Sequence, residues 1–388
     1  MNNNRDLRVA LGLALAPVVA LGFSRFAYAL LLPPMRDDLG WSYTRAGGMN
    51  TANAIGYIAG AAGGAWLAKR LGIRRAFIAT LALSAAALTA TAATSDYVAL
   101  LALRATGGVA TAVAFVVGSS LAARLRPGVL PVYFAGVGVG IVLSGIVVPS
   151  ALTRAAPDSW RLGWLLLGLA SLLALVPAWL AARAVPETGE RPVAALSRGD
   201  LRKLAPTLAG YALFGAGYVS YMTFVIALLR GQSLPGWVPD AFWLVLGTSS
   251  AVFIGPWGRF LARSRGGNGK AVVSGVVLVG TLPILIAPGP VAALASAVIF
   301  GSAFMAGPAA VTAISRHVLP PGAWTAGIAV MTTGFALGQA VGPLVSGLLS
   351  DGSGGLKAGL WLSPILLAAA AAVSLLQAHH PHHSATRA

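Results

Sequence analysis

The chain of 388 residues contains no cysteine. Disulfides, thiolate nucleophiles and cysteine-based metal sites are therefore excluded. Acid is scarce as well: ten Asp and Glu stand against 27 Lys and Arg, and charged residues of both signs make up only 10%. None of the ten acids falls inside a long apolar run. Of five histidines, His379, His380, His382 and His383 crowd the tail, and His317 has no neighbouring acid. The tail tract reads as solvated, so no metal site or cofactor is expected. An enzyme would need a nucleophile with its base, or a metal constellation, that these residues do not offer.

What is present is apolar. Hydrophobic residues make up 57% and mean hydropathy is +0.79, too high for a soluble domain of this length. Apolar runs recur at 9–33, 46–68, 76–94, 97–123, 130–152, 162–182, 206–229, 241–262, 271–288, 290–315, 324–349 and 359–377. Most reach the ~20 residues that cross ~30 Å of hydrocarbon. The alternating pattern of a membrane barrel is absent, and the first run is too long for a cleaved signal core. The sequence therefore predicts an all-α polytopic membrane protein of twelve transmembrane helices.

The formal charge of +17 is unevenly placed. If the first helix runs outward, one face collects 19 basic residues, Lys270 among them, against four acidic, while the other holds six of each. Cytoplasmic loops carry such an excess, so both termini are expected inside a bacterial inner membrane. The bias removes any need for a nucleic-acid partner; membrane lipid and a small solute are the expected partners, and no feature marks an oligomer, so a monomer is expected.

Two positive charges belong to neither face. Arg25 and Arg104 lie within apolar runs, about 13 Å and 12 Å from the outer ends Pro34 and Asp96 at 1.5 Å per residue. Intramembrane charges are costly and mark functional sites by default. A guanidinium cannot shed its proton and presents a fork of donors suited to carboxylate or phosphate, so a site built on the pair should take an anion. The competing reading is a structural clamp, with Arg104 pairing Asp37, Asp38 or Asp96. Other polar residues share helical faces: Asn50, Asn53 and Tyr57; Tyr211, Phe214, Tyr218 and Tyr221; Thr332, Phe335 and Gln339.

The chain also repeats itself. At an offset of 194, Gly140–Pro149 falls on Gly334–Pro343, and the basic helix exit Trp66–Lys69 falls on Phe260–Arg263. Between the copies lies the most polar stretch, containing PETGERP and SRGDLRK. Expected domains are a six-helix bundle over 1–183, a cytoplasmic linker over 184–205 and a second bundle over 206–388. A tandem repeat of this kind places a substrate site between the halves at mid-membrane. Neither arginine recurs in the second copy.

These residues resemble the major facilitator superfamily over almost the whole chain. The loop Ala65-Trp66-Leu67-Ala68-Lys69-Arg70-Leu71-Gly72-Ile73-Arg74-Arg75 is similar to its signature loop, with Lys69 where an acid is usual. Leu103 to Gly108 resembles the Arg-plus-Gly motif of proton-coupled and exporter members. Gly136, Gly138, Gly140 and Gly145 before Pro149 resemble the glycine-rich exporter motif without its Gly-Pro pair. Gly22 to Tyr28, with Asn50-Thr51-Ala52-Asn53, looks like the YbfB-type branch.

The resemblance implies alternating access around a cavity lined by both arginine-bearing helices. The expected substrate contacts are Arg25, Tyr28, Asn50, Asn53, Arg104, Tyr218, Tyr221 and Gln339, and the expected gating residues are Lys69, Arg70, Gly72, Arg74 and Asp38. The function expected is secondary active transport of a small organic anion. The alternative is a multidrug-type proton antiporter, against which two buried arginines and no buried acid argue. Coupling stays open between gate-side acids, a proton carried on the substrate, and exchange or facilitated diffusion.

Overall fold

A computed structural model of the chain describes residues 3–125, 130–152, 158–186 and 196–378; the histidine tract and the PETGERP segment lie outside them, apart from Pro186. Among the described residues every element is helical. We number twelve: α1 (Asn4–Asp38), α2 (Tyr43–Leu71), α3 (Ile73–Thr91), α4 (Tyr97–Ala122), α5 (Leu130–Leu152), α6 (Ser159–Ala184), α7 (Arg198–Gly231), α8 (Trp237–Arg263), α9 (Asn268–Ile286), α10 (Pro290–Val318), α11 (Trp324–Ser350) and α12 (Gly355–Leu375). Eleven are long and apolar enough to cross a membrane. The exception is α2, which at 29 residues has the length but carries Arg45, Asn50, Thr51, Asn53, Lys69 and Arg70.

Local chemistry explains the ends that differ from the apolar runs. α7 begins at Arg198, inside the stretch expected as linker, because Ser197 and Asp200 form a reciprocal capping box. α9 begins before Lys270, which corrects the expectation of a loop lysine: Lys270 is fully buried. The chain turns at Gly266 (φ +51°), and the N–H of Gly267 donates to Gln377 O at 3.1 Å. A Cβ on Gly267 would lie 1.6 Å from Ser374 O, so the absence of a side chain lets the start of α9 sit directly on the end of α12.

The sequence repeat reappears in the packing. α2 packs on α4 as α8 packs on α10, α1 on α5 as α7 on α11, and α3 on α6 as α9 on α12. The contacts that join first-copy to second-copy helices are also paired, α2 on α11 and α5 on α8. Small residues bring these backbones together. A Cβ on Gly56 would lie 1.9 Å from Ala105 O, one on Gly138 2.4 Å from Gly247 O, and one on Gly47 2.4 Å from Pro343 O.

The α2–α11 seam ends in a polar lock. Asp351, just past α11, accepts from Tyr43 N at 2.7 Å, Thr44 N at 2.9 Å and Thr44 Oγ1 at 2.6 Å. A carboxylate from the second half thus sits on the positive end of a first-half helix. Two turns further along α2, Thr51 Oγ1 donates to Ala340 O at 2.6 Å. At the opposite end of α2 and α8, Gly63, Gly255 and Gly258 have nothing within 4 Å. Partial burial works against the Asp351 carboxylate, but the bonds from Thr44 and Tyr43 outweigh it and hold its pKa below the usual value. The lock is therefore complete above the ordinary carboxylate pKa and is lost as pH falls through the lowered one.

In this cysteine-free chain a single Leu344→Cys reports on the seam without background. Asp351→Asn should raise its maleimide labelling rate about fivefold, as expected for loss of charge-assisted bonds. An unchanged rate would show that the lock does not hold the seam.

Candidate functional site

Arg25 and Ser24 sit on an irregular turn. Val18–Phe26 is a π-helix whose nine residues are all buried, and Ala27 N reaches back to Gly22 O at 2.9 Å. Pro17 precedes it and has no N–H to continue the ordinary ladder. Gly22 lies against Gly140 of α5, where a Cβ would come within 2.5 Å of its backbone. Such wide turns leave carbonyls poorly satisfied and recur at functional sites. Here α4 supplies the donors: Arg104 Nη1 donates to Ser24 O, and Thr111 Oγ1 to Ala20 O at 2.9 Å.

Arg104 is 3% exposed and is held on several sides. Nη2 donates to Asn50 Oδ1 at 3.0 Å, and the guanidinium lies 5.0 Å from the Tyr28 ring centroid and 5.6 Å from that of Trp164. Its Nε is buried without a partner. Asn50 completes the chain of bonds by donating Nδ2 to Thr223 Oγ1 of α7 at 2.6 Å, so Arg104 is tied to the second half through one amide. Asn53 donates to Arg104 O at 3.1 Å, and its Oδ1 is buried and unpaired.

Arg25 differs. It is 5% exposed and lies 5.4 Å from the Tyr57 centroid. It lines a cavity of about 10 Å³ with Phe26, Ala29, Asn50, Val219, Met222 and Thr223, room for roughly one water. Among the described residues neither arginine is paired to a carboxylate; the acids suggested as partners are engaged elsewhere. Asp38 accepts from Trp160 Nε1 at 2.8 Å, Asp37 pairs Arg36 at 2.9 Å, and Asp96 caps α4 through Ala99 N at 2.8 Å.

The second half faces the pair with rings. Tyr211, Tyr218 and Phe335 stack, with Tyr211 and Phe335 4.3 Å apart and Tyr218 and Phe335 5.7 Å apart. Gln339, fully buried, donates to Tyr218 Oη at 2.6 Å, leaving its Oε1 unpaired. Phe304 joins this wall to the first half, 5.9 Å from Tyr218 and 5.8 Å from Phe26. Two expected contacts point elsewhere. Tyr28 donates to Ala46 O at 2.8 Å and stacks on Trp164; Tyr221 bonds Ser296 and packs on Phe300.

Comparison with known proteins now decides the family. Residues 17–375 match the family described as uncharacterised MFS-type transporter YbfB. The chain belongs to this family. It is also 28% identical over 375 residues to a chloramphenicol resistance protein of Streptomyces lividans, covering 92% of this chain and 93% of that one. The fold matches the nucleoside transporter NupG (D323A mutant) with TM-score 0.74 at 15% identity, over 95% of this chain and 99% of that one. It equally matches a bacterial homolog of the human lysosomal transporter Spinster, inward-facing and occupied, with TM-score 0.74 at 16% identity and 97% of both chains. This YbfB-family member is thus a multi-pass inner-membrane transporter of the major facilitator type, working by alternating access.

The loop after α2 carries the expected gating residues. Gly72 has φ +80°, a left-handed value that suits glycine, and forms the turn into α3. Arg74 Nη2 donates to Val185 O at 2.5 Å, fastening the loop to the end of α6. Arg70 lies 5.4 Å from the Trp66 centroid, and Lys69 is exposed. These four residues gather on first-half helices, while Asp351 provides the cross-half lock that the sequence reading missed. Lys270 was missed too. Its Nζ donates to Ser274 Oγ at 2.9 Å and lies 4.0 Å from the Phe214 centroid.

Asn50→Ala should cost about 1–3 kcal/mol, since it unpairs a buried charged donor, and should lower the melting temperature in detergent. Asn53→Ala, which removes one bond to a backbone oxygen, should cost less. Equal melting of both variants and the parent would show that the Asn50 link is energetically idle.

Proposed function

We propose that this chain is a secondary active transporter of a small organic anion, with Arg25 as the direct contact and Arg104 as a second positive charge that also positions Asn50. The observation that carries this is the contrast between the two side chains. Arg104 spends its guanidinium on Ser24 O and Asn50, whereas Arg25 faces a small cavity with its charge against the Tyr57 ring. A buried cation without an acid needs either dipoles or an anion. The cavity holds about one water in this conformation, so the anion enters when α1, α2 and α7 part. The wall of Tyr211, Tyr218 and Phe335, with Gln339, would cover its organic body.

On this reading 1–183 and 206–388 are two bundles rocking about the central site, with both termini cytoplasmic. Asp351 then latches the outer side, and the Lys69–Arg75 loop lies inside. Asp37, Asp38 and Asp96 already have structural partners, which favours exchange or a substrate-borne proton over a titrating gate acid. A second reading, export of an uncharged drug, is favoured by the likeness to the chloramphenicol resistance protein and by the same aromatic wall.

A thermal-shift screen separates the two. A bound anion at 100 times its Kd stabilises the parent by about 2.7 kcal/mol, and Arg25→Ala should abolish that protection. Protection by neutral antibiotics alone, unaffected by Arg25→Ala, would overturn the anion reading in favour of the drug one.

A further inference from the structure

On the side where α2 ends, a cleft of about 940 Å³ opens among α2, α3, α4 and α6, far larger than the space at Arg25. Its charged lining is entirely basic: Lys69, Arg74, Arg75, Arg124 and Arg183. Among the described residues Lys69, Arg75, Arg124 and Arg183 have no carboxylate partner. These four cations on one hollow repel each other, and that arrangement is relieved by an anion with several oxygens. Arg183 lies 3.8 Å from the centroid of Trp179, itself 39% exposed. A tryptophan beside basic residues at a helix end is the chemistry of the membrane–water boundary.

The cleft does not end in polar surface. Ala79 at its rim starts an exposed apolar stripe on α3 that continues through Leu83, Ala86 and Ala90 at helical spacing. Beside it α6, which packs on α3, exposes Leu172, Leu173, Val176 and Leu180. A basic hollow therefore opens onto two apolar tracks running toward the middle of the membrane. Because these lipid-facing tracks adjoin the hollow, an anion that carries acyl chains would fill both at once. We infer that this cleft binds an anionic phospholipid, its headgroup phosphate among Arg75, Arg124 and Arg183 and its acyl chains along α3 and α6. Lys69 belongs to this anion site, since an acid there would oppose the headgroup. The inference holds whichever substrate the central site takes.

The test is native mass spectrometry of the full chain in detergent, with phosphatidylglycerol and phosphatidylcholine of matched acyl chains. The parent should retain phosphatidylglycerol in preference to phosphatidylcholine. Arg75→Gln, Arg124→Gln and Arg183→Gln together should cut phosphatidylglycerol retention about tenfold or more, given the worth of each basic residue near an anionic surface, while phosphatidylcholine retention stays constant. If that triple variant fails to fold, Lys69→Gln with Arg183→Gln reads the same loss. Equal phosphatidylglycerol retention in parent and variant overturns the assignment. So does binding of inorganic phosphate alone with the same dependence on the three arginines, which would make the cleft a soluble-anion site. Retention by Glu187→Gln/Glu190→Gln but not by the parent also overturns it, because the linker's own acids would then be the occupant.

Discussion

Two buried guanidinium ions have no carboxylate partner among the described residues, and the centre of the molecule is arranged around that constraint. The Arg104 charge is solvated by dipoles: a carbonyl on the π-helical turn of α1, the amide of Asn50, and the faces of Tyr28 and Trp164. Neutral dipoles spread the cost of a buried charge without cancelling it. The central site consequently keeps a net positive potential that an acid partner would have removed. Because Asn50 also reaches Thr223, a group that solvates the charge also bonds across to the second half. Electrostatics and the contact between α2 and α7 are therefore coupled through a single side chain.

The duplication supplies the frame, and the departures from it supply the chemistry. Helix pairs repeat their contacts across the two copies, so the scaffold needs nothing that is unique to either. Arginine, asparagine and the π-helical turn occur on the first-copy side; stacked rings and Gln339 occur on the other. Each half thus presents a different surface to the space between them.

Much of this was legible in the sequence. Twelve helices followed from the apolar runs, and the burial of Arg25 and Arg104 followed from their place inside those runs. The direction of a side chain around its helix was less legible. Tyr28 follows a π-helical stretch, which winds the chain differently from the 3.6-residue period used to assign faces, and it turns toward Ala46 and Trp164. Tyr221 shares a nominal stripe with Tyr218, yet Ser296 draws its hydroxyl toward α10. Lys270 follows three glycines and an asparagine, Gly266 to Gly269, and reads as a loop residue. Only the close approach of Gly267 to α12 puts it in the interior. Asp351 lies about 300 positions from the helix it caps, and no local pattern joins residues so far apart.

The glycine-lined seams carry a thermodynamic consequence. Where Gly138 meets Gly247 and Gly47 meets Pro343, backbone touches backbone, so few rotamers are frozen when the surfaces close or released when they separate. Side-chain entropy, which opposes closure at most interfaces, contributes little at these points. The populations of the closed and parted states are then governed by a small number of polar links, each worth on the order of 1 kcal/mol. A molecule balanced in this way shifts its resting state severalfold when one such link is altered, which leaves the resting population open to adjustment by single substitutions far from the solute.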